Sequence, residues 1–257
     1  GYTAAFRAAD LGKKVVLIER YSTIGGVCLN VGCIPSKALL HTAKVITDAE
    51  DTANHGVSFG SPKIDLEELR SWKTNKVVKK LTMGLAQMAK QRSVEIVEGE
   101  GKFLSPNQII VKLNDGSTKI IGFHSAIIAA GSQPSRIPNT PEDERIMDST
   151  GALELKDIPK KLLIIGGGII GLEMGTVYEA LGSLVTVVEL TDGLIQGCDK
   201  DIVRPLQRRM EKRFENIWLK TKVTKIETKK EGIVVHFDGA DAPKELMFDR
   251  VLVSVGR

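Results

Sequence analysis

The stretch Lys161-Leu162-Leu163-Ile164-Ile165-Gly166-Gly167-Gly168-Ile169-Ile170-Gly171 decides the fold. After Lys161 it is a short unbroken apolar run, the pattern of a strand buried on both faces in a parallel sheet. Gly166, Gly168 and Gly171 follow at G-x-G-x-x-G spacing, and the residues beyond them read as a helix closed by Leu181-Gly182. A second apolar run then leads to Glu189, 23 residues after Gly166. Strand, Gly-rich turn, helix, strand and acid, in that order, make a βαβ unit that holds a dinucleotide. Gly166 serves the tight turn, Gly168 opens the backbone to a pyrophosphate, and Gly171 lets helix and strand pack closely. The helix start at Ile169 and Ile170 offers N–H groups and a partial positive charge to phosphate. Glu189 can accept hydrogen bonds from ribose hydroxyls. It is followed by Leu190-Thr191-Asp192 and no Arg, which favours NAD over NADP.

Working outward, the same pattern recurs 170 positions earlier. Gly1, Leu11, Gly12, Val15 and Glu19 match Gly171, Leu181, Gly182, Val185 and Glu189. Gly1 takes the place of the third glycine, so the chain is expected to begin inside a nucleotide-binding loop and to be a piece of a longer protein. A second echo links Ser125–Gly131 with Arg250–Gly256, each read as a buried strand ending in Gly. Short alternating segments precede each. They are Gln108–Leu113, the Asn114-Asp115-Gly116 turn and Thr118–Ile121 in the first half, and Lys222–Glu227, Glu231-Gly232 and Ile233–Phe237 in the second. Each half therefore reads as a βαβ start, a β-meander and a closing strand. The expected class is α/β, with two tandem Rossmann-like three-layer domains, at residues 1–145 and 146–257.

Between these patterns, residues 65–89 read as one or two amphipathic helices. Leu66, Leu69, Trp72, Val77, Leu81, Leu85 and Met88 are expected to pack inward. Residues 137–159, punctuated by three prolines, read as a passage between domains.

Composition limits the function. The 257 residues are 42% hydrophobic and 26% charged, the balance of a soluble globular protein. No apolar run is long enough to span a membrane. The net charge of +4 is spread among acids, so no nucleic-acid stripe is expected, and Lys79-Lys80 and Lys229-Lys230 read as solvated faces. Three cysteines do not make a secreted disulfide framework, which points to a reducing compartment. Cys198 has no nearby partner and reads as a cysteine of no special role.

Cys28 and Cys33 differ. They lie in Gly25-Gly26-Val27-Cys28-Leu29-Asn30-Val31-Gly32-Cys33-Ile34-Pro35-Ser36-Lys37. In a regular helix, positions five apart rise about 7.5 Å and face different ways, beyond the roughly 7 Å Cα limit for a disulfide. A bridge there needs an irregular turn, which Gly32 permits, and Pro35 suits the first turn of the helix that follows. Cys33 then falls at a helix start, where a thiolate is stabilised. Zinc is disfavoured because neither His41 nor His55 completes a ligand set, so no metal is expected. A pair of inert buried cysteines is the other alternative, and a disulfide that opens and closes fits better.

This segment resembles the active-site run of the class I flavoprotein disulfide reductases (the pyridine nucleotide-disulfide oxidoreductases), and within them the dihydrolipoyl dehydrogenases. Ser36-Lys37-Ala38-Leu39-Leu40-His41 adds to the likeness, as do Ala129-Ala130-Gly131-Ser132 and Gly166 through Glu189. The resemblance implies FAD bound by the first half and NAD by the second. It puts Gly1, Glu19, Arg20, Gly25, Gly26, Val27, Cys28, Lys37, Gly101, Gly131 and Ser132 at FAD. It puts Gly166, Gly168, Ile169, Ile170, Gly171, Glu189, Val223 and Gly256 at NAD. Cys28 would exchange with substrate, Cys33 would face the flavin, and Lys37 would pair with Glu173 beside it. Electrons would pass from a dihydrolipoyl group through the cysteines and FAD to NAD. The implied partner is the lipoyl domain of the acyltransferase subunit of a 2-oxoacid dehydrogenase complex, met in the cytoplasm by a homodimer. The family's C-terminal interface domain and its His–Glu base match nothing here, so this piece alone is not expected to turn over fully. Rival readings are a mercuric or glutathione-type reductase, disfavoured by the acid at Glu189, and a nucleotide-binding relic, disfavoured by the intact cysteine pair.

Overall fold

The computed structural model describes all of residues 1–257. Along the chain run α1 (Tyr2–Asp10), β1 (Val16–Glu19), α2 (Gly26–Val31), α3 (Cys33–Asp51), a 3-10 turn (Thr52–His55), α4 (Leu66–Ser71), a π-helical turn (Trp72–Val78) and α5 (Lys79–Gln91). Then come β2 (Glu95–Ser105), β3 (Gln108–Leu113), β4 (Thr118–Gly122), β5 (Ile146–Met147), α6 (Ser149–Glu154), β6 (Lys161–Ile165), α7 (Ile169–Ala180) and β7 (Leu184–Val188). The chain closes with α8 (Lys200–Glu211), β8 (Asn216–Trp218), β9 (Lys222–Thr228), β10 (Ile233–Asp238), β11 (Glu245–Phe248) and β12 (Arg250–Val253). They divide into two compact units, residues 1–35 with 74–132, and residues 36–73 with 133–257.

The second unit has the α/β architecture expected of a dinucleotide domain. Its five strands lie in the order β5-β12-β6-β7-β8, all parallel. Strand periodicity sorts their side chains between two cores. From β6, Leu162 and Ile164 join a cluster with Leu172, Val177 and Tyr178 of α7 and Met210 of α8. Leu163 and Ile165 face the other way, against Ile226, Ile233, Val235, Phe237 and Phe248 of the antiparallel meander β9-β10-β11. Helices, parallel sheet and meander are thus three layers. Each fully buried Leu or Ile here contributes about 1.5–3 kcal/mol of apolar burial. Tyr178 keeps its hydroxyl satisfied inside the helical layer by donating to Ala152 O at 2.9 Å.

In the first unit, β1 pairs in parallel with β2, and β2, β3 and β4 form an antiparallel meander in the order β1-β2-β3-β4. Its core is small. Ala5 and Phe6 of α1, Ala89 of α5, Ile24 and Val94 are its buried members. The duplicated helix-to-strand corner is present in both units, with Gly12 at φ +74° and Gly182 at φ +111°, a conformation that favours glycine.

Three expectations change. Residues 125–131 form no strand, and Ile127 and Ile128 are 72% and 76% exposed. Their counterpart β12 is held by β6, the strand that leads into the Gly-rich turn. Residues 137–159 are more than a passage, because β5 pairs with β12 and α6 packs in the helical layer. Along the helical run after residue 65, Trp72, Leu81 and Met88 are exposed, while Lys73, Thr82 and Ala89 are buried.

Candidate redox and nucleotide sites

The redox segment is built around a break at Gly32. Cys28 sits within α2 and Cys33 is the first residue of α3. A Cβ on Gly32 would lie 2.9 Å from Val27 O and 3.1 Å from Cys28 Cα, so only glycine lets the chain fold back this tightly. Gly25, at φ +126°, starts the segment, and a side chain there would strike Leu29 at 2.6 Å. Asn30 braces the loop, donating to Gly26 O at 3.0 Å and accepting from the Thr23 hydroxyl at 2.9 Å. Both cysteines are exposed. Cys33 and Lys37 are four residues apart on α3 and share a helix face.

In the second unit, Lys37 Nζ lies 2.7 Å from Glu173 Oε1, and the buried Ser36 hydroxyl donates to Glu173 Oε2 at 2.6 Å. Both carboxylate oxygens of Glu173 are thereby engaged. The Ser36 bond was not foreseen; its one signal in the sequence is adjacency to Lys37.

The Gly-rich turn joins β6 to α7. Gly166 has φ +108°, and a Cβ on it would sit 2.5 Å from Ser254 O. A Cβ on Gly171 would fall on Gly166 O and come 2.6 Å from Ser254 Oγ. Gly168 has open space where its side chain would be, and α7 starts there without a side-chain cap. Ile169, the first residue of α7, is exposed. Glu189 closes the far side of the turn by accepting from Gly167 N at 2.7 Å. Open backbone at Gly168, an uncapped helix start and a carboxylate together fit a dinucleotide. Gly167 also belongs to this cradle, since a Cβ there would strike Leu194 at 2.5 Å. Ser254, the residue after β12, pins the turn, its hydroxyl shared between Ile165 O at 3.1 Å and Gly166 O at 3.2 Å.

In the first unit the same geometry is partly repeated. Glu19 ends β1 and accepts from Tyr21 N at 3.2 Å, as Glu189 does from Thr191 N at 2.8 Å. Arg20 lies over the Tyr21 ring. A Cβ on Gly1 would approach Ala129 and Leu17, and one on Gly131 would approach Val27, so these positions converge. Gly26 is exposed with open space beside it, and Gly101 packs on Ile18 and Ile109 within the sheet. An acid at the strand end, the start of α1 and an open glycine turn fit a second nucleotide. Val223 is half-buried against the cluster between the parallel sheet and the meander. Gly256 accepts from Ser135 N at 2.9 Å.

The pyridine nucleotide-disulphide oxidoreductase family model matches residues 1–257. The chain belongs to this family. Its members work with FAD and a nicotinamide nucleotide. The chain is 57% identical to the dihydrolipoyl dehydrogenase of Vibrio parahaemolyticus and 54% identical to that of Haemophilus influenzae, in each case over all of this chain and 54% of the relative. It thus spans about half the length of the curated relatives it matches. Among solved structures, the HOCl-induced flavoprotein disulfide reductase RclA of Escherichia coli superposes with a TM-score of 0.80 at 28% identity, over all of this chain and 54% of that one. LpdA of Mycobacterium tuberculosis superposes at 0.88 with 22% identity, over 100% and 56%, a likeness of fold.

Proposed function

We propose that the protein is the dithiol-oxidising, nucleotide-binding part of a dihydrolipoyl dehydrogenase, with residues 1–145 holding FAD and residues 146–257 holding NAD. The observation that carries this reading is the exposed Cys28 and Cys33 pair, set across the Gly32 break at the start of α3. In the oxidised pair, a substrate thiolate attacks Cys28 Sγ. A substrate–Cys28 bond forms as the Cys28–Cys33 bond breaks, and Cys33 leaves as a thiolate at its helix N-terminus. The second substrate thiol attacks the substrate sulfur bonded to Cys28, the substrate–Cys28 bond breaks, and Cys28 leaves and takes up the proton that the thiol gives up. The substrate departs as a cyclic disulfide, and the cysteines retain the electron pair. FAD, when bound, supplies the acceptor for that pair, with NAD the onward carrier. Lys37, held by Glu173, adds a positive charge one turn along the face that Cys33 begins.

The substrate is a dihydrolipoyl group on the lipoyl domain of an acyltransferase subunit, and the working form is a cytoplasmic homodimer. The identity to dihydrolipoyl dehydrogenases over the whole chain supports this choice. No helix is long and apolar enough to cross a membrane. The test is thiol counting with peptide mapping. Mild oxidation should link Cys28 to Cys33 and leave Cys198 unlinked, and a dihydrolipoyl domain should restore both thiols in one equivalent. A bridge to Cys198, or a Cys28–Cys33 bridge that the dihydrolipoyl domain leaves intact, defeats the reading.

A further inference from the structure

Glu189 is held by more than the Gly-rich turn. Its Oε1 accepts from Thr191 N at 2.8 Å and from the Thr191 hydroxyl at 2.7 Å, while its Oε2 accepts from Gly167 N at 2.7 Å. A carboxylate has about four acceptor positions, two on each oxygen. Three are filled, and the open one lies on Oε2, the oxygen beside the turn. Gln196 fixes the other end. Its Nε2 donates to Thr191 Oγ at 2.6 Å and to Gly193 O at 3.1 Å. The chain from Gln196 through Thr191 to Glu189 therefore sets which way the carboxylate faces.

We propose that Thr191, backed by Gln196, is a positioning residue for coenzyme choice. It holds Glu189 so that the open acceptor on Oε2 meets a ribose hydroxyl, and so that the fixed negative charge opposes a phosphate ester at that position. This rests on the NAD reading of the second unit. Without the Thr191 hydroxyl the carboxylate keeps only two backbone donors, Thr191 N and Gly167 N, and is held less firmly, which weakens both the attraction to the hydroxyl and the repulsion of the phosphate.

The measurement is fluorescence titration of NADH and NADPH against the full 257-residue chain, with circular dichroism confirming that each variant is folded. Thr191→Val should weaken NADH about three- to tenfold, the equivalent of one hydrogen bond. NADPH should bind as before or more tightly. Thr191→Ser should restore the wild-type ratio, and the exposed Gln196→Ala, which leaves the Thr191–Glu189 contact in place, should fall between. Equal losses for both nucleotides would mark a merely structural role and overturn the proposal, as would a Thr191→Val ratio equal to wild type. A wild-type chain that fails to prefer NADH sinks the NAD reading and this inference with it.

Discussion

Gly168 and Gly171 lack a side chain for opposite reasons, and that difference separates folding from binding at single positions. At Gly171 a methyl group meets Gly166 O, Ser254 Oγ and, at 2.9 Å, Ile164 Cγ2, none of which can move without disturbing β6 or β12. Helix propensity alone favours alanine over glycine by about 1 kcal/mol. Forcing an extra methyl into a filled space costs about 1–3 kcal/mol, and here the neighbours are backbone and a pinned hydroxyl. Gly171→Ala should therefore lower the urea midpoint. At Gly168 the methyl meets nothing, and φ of −81° suits any residue. Gly168→Ala should leave the midpoint unchanged and weaken NADH binding, because the new methyl occupies the side from which a pyrophosphate approaches. If both variants shift the midpoint equally, this division of labour is wrong. The G-x-G-x-x-G spacing made these positions legible in the sequence. Gly167, Ser254 and Ser36 were not legible, because what they touch comes from segments far away in the chain.

At the scale of elements, strands and corners were easier to foresee than helix faces. Residues 162–165 announce a strand by being apolar without interruption, and the Leu-Gly pairs announce both helix ends. The run from Leu66 to Gln91 misleads because seven of its residues, Trp72–Val78, form a π-helical turn. That turn takes extra residues per revolution, so an inward face counted at 3.6 slips by about one position beyond it. Thr82 and Ala89 are buried where Leu81 and Met88 were expected. Lys73 falls on the face of Leu66 and Leu69 and is buried, its ammonium donating to Leu153 O at the end of α6. Burial pushes this lysine below its ordinary 10.5, with the Arg70 charge acting the same way and Glu154 opposing. Below the folded value both states carry the proton, and the cost of burying it is fully present. As pH rises through that value the native state sheds its proton first, so stability climbs until the unfolded lysine titrates at 10.5. Unfolding free energies of wild type and Lys73→Met, measured from neutral pH upward, should show the wild type gaining on the variant toward pH 10.5. A difference that stays flat, or falls, removes Lys73 as the cause.

For the whole molecule, the duplication was legible because Gly, Leu-Gly and Glu recur at a constant offset. The unequal strength of the two copies was not, because it depends on which strands find partners. The second unit buries two apolar clusters, one on each face of its parallel sheet. The first has a single small cluster, a half-buried β1 with one partner strand, and an exposed run at 125–131 in place of a closing strand. Local opening costs least where few apolar contacts are lost and backbone hydrogen bonds face solvent. Hydrogen exchange on the 257-residue chain should therefore resolve three classes of amide. Those of β6, β7 and β12 should exchange last, near the limit set by global unfolding. Those of β1 should exchange well before them, and those of 125–131 earliest of all. Adding NADH should slow exchange around the Gly-rich turn and at Glu189 by mass action on the folded form. Exchange of β1 as slow as that of β6 would mean that the small cluster of Phe6, Ala89 and Val94 holds its unit as firmly as the two-faced sheet holds the other. Stability would then no longer follow buried apolar contact in this chain.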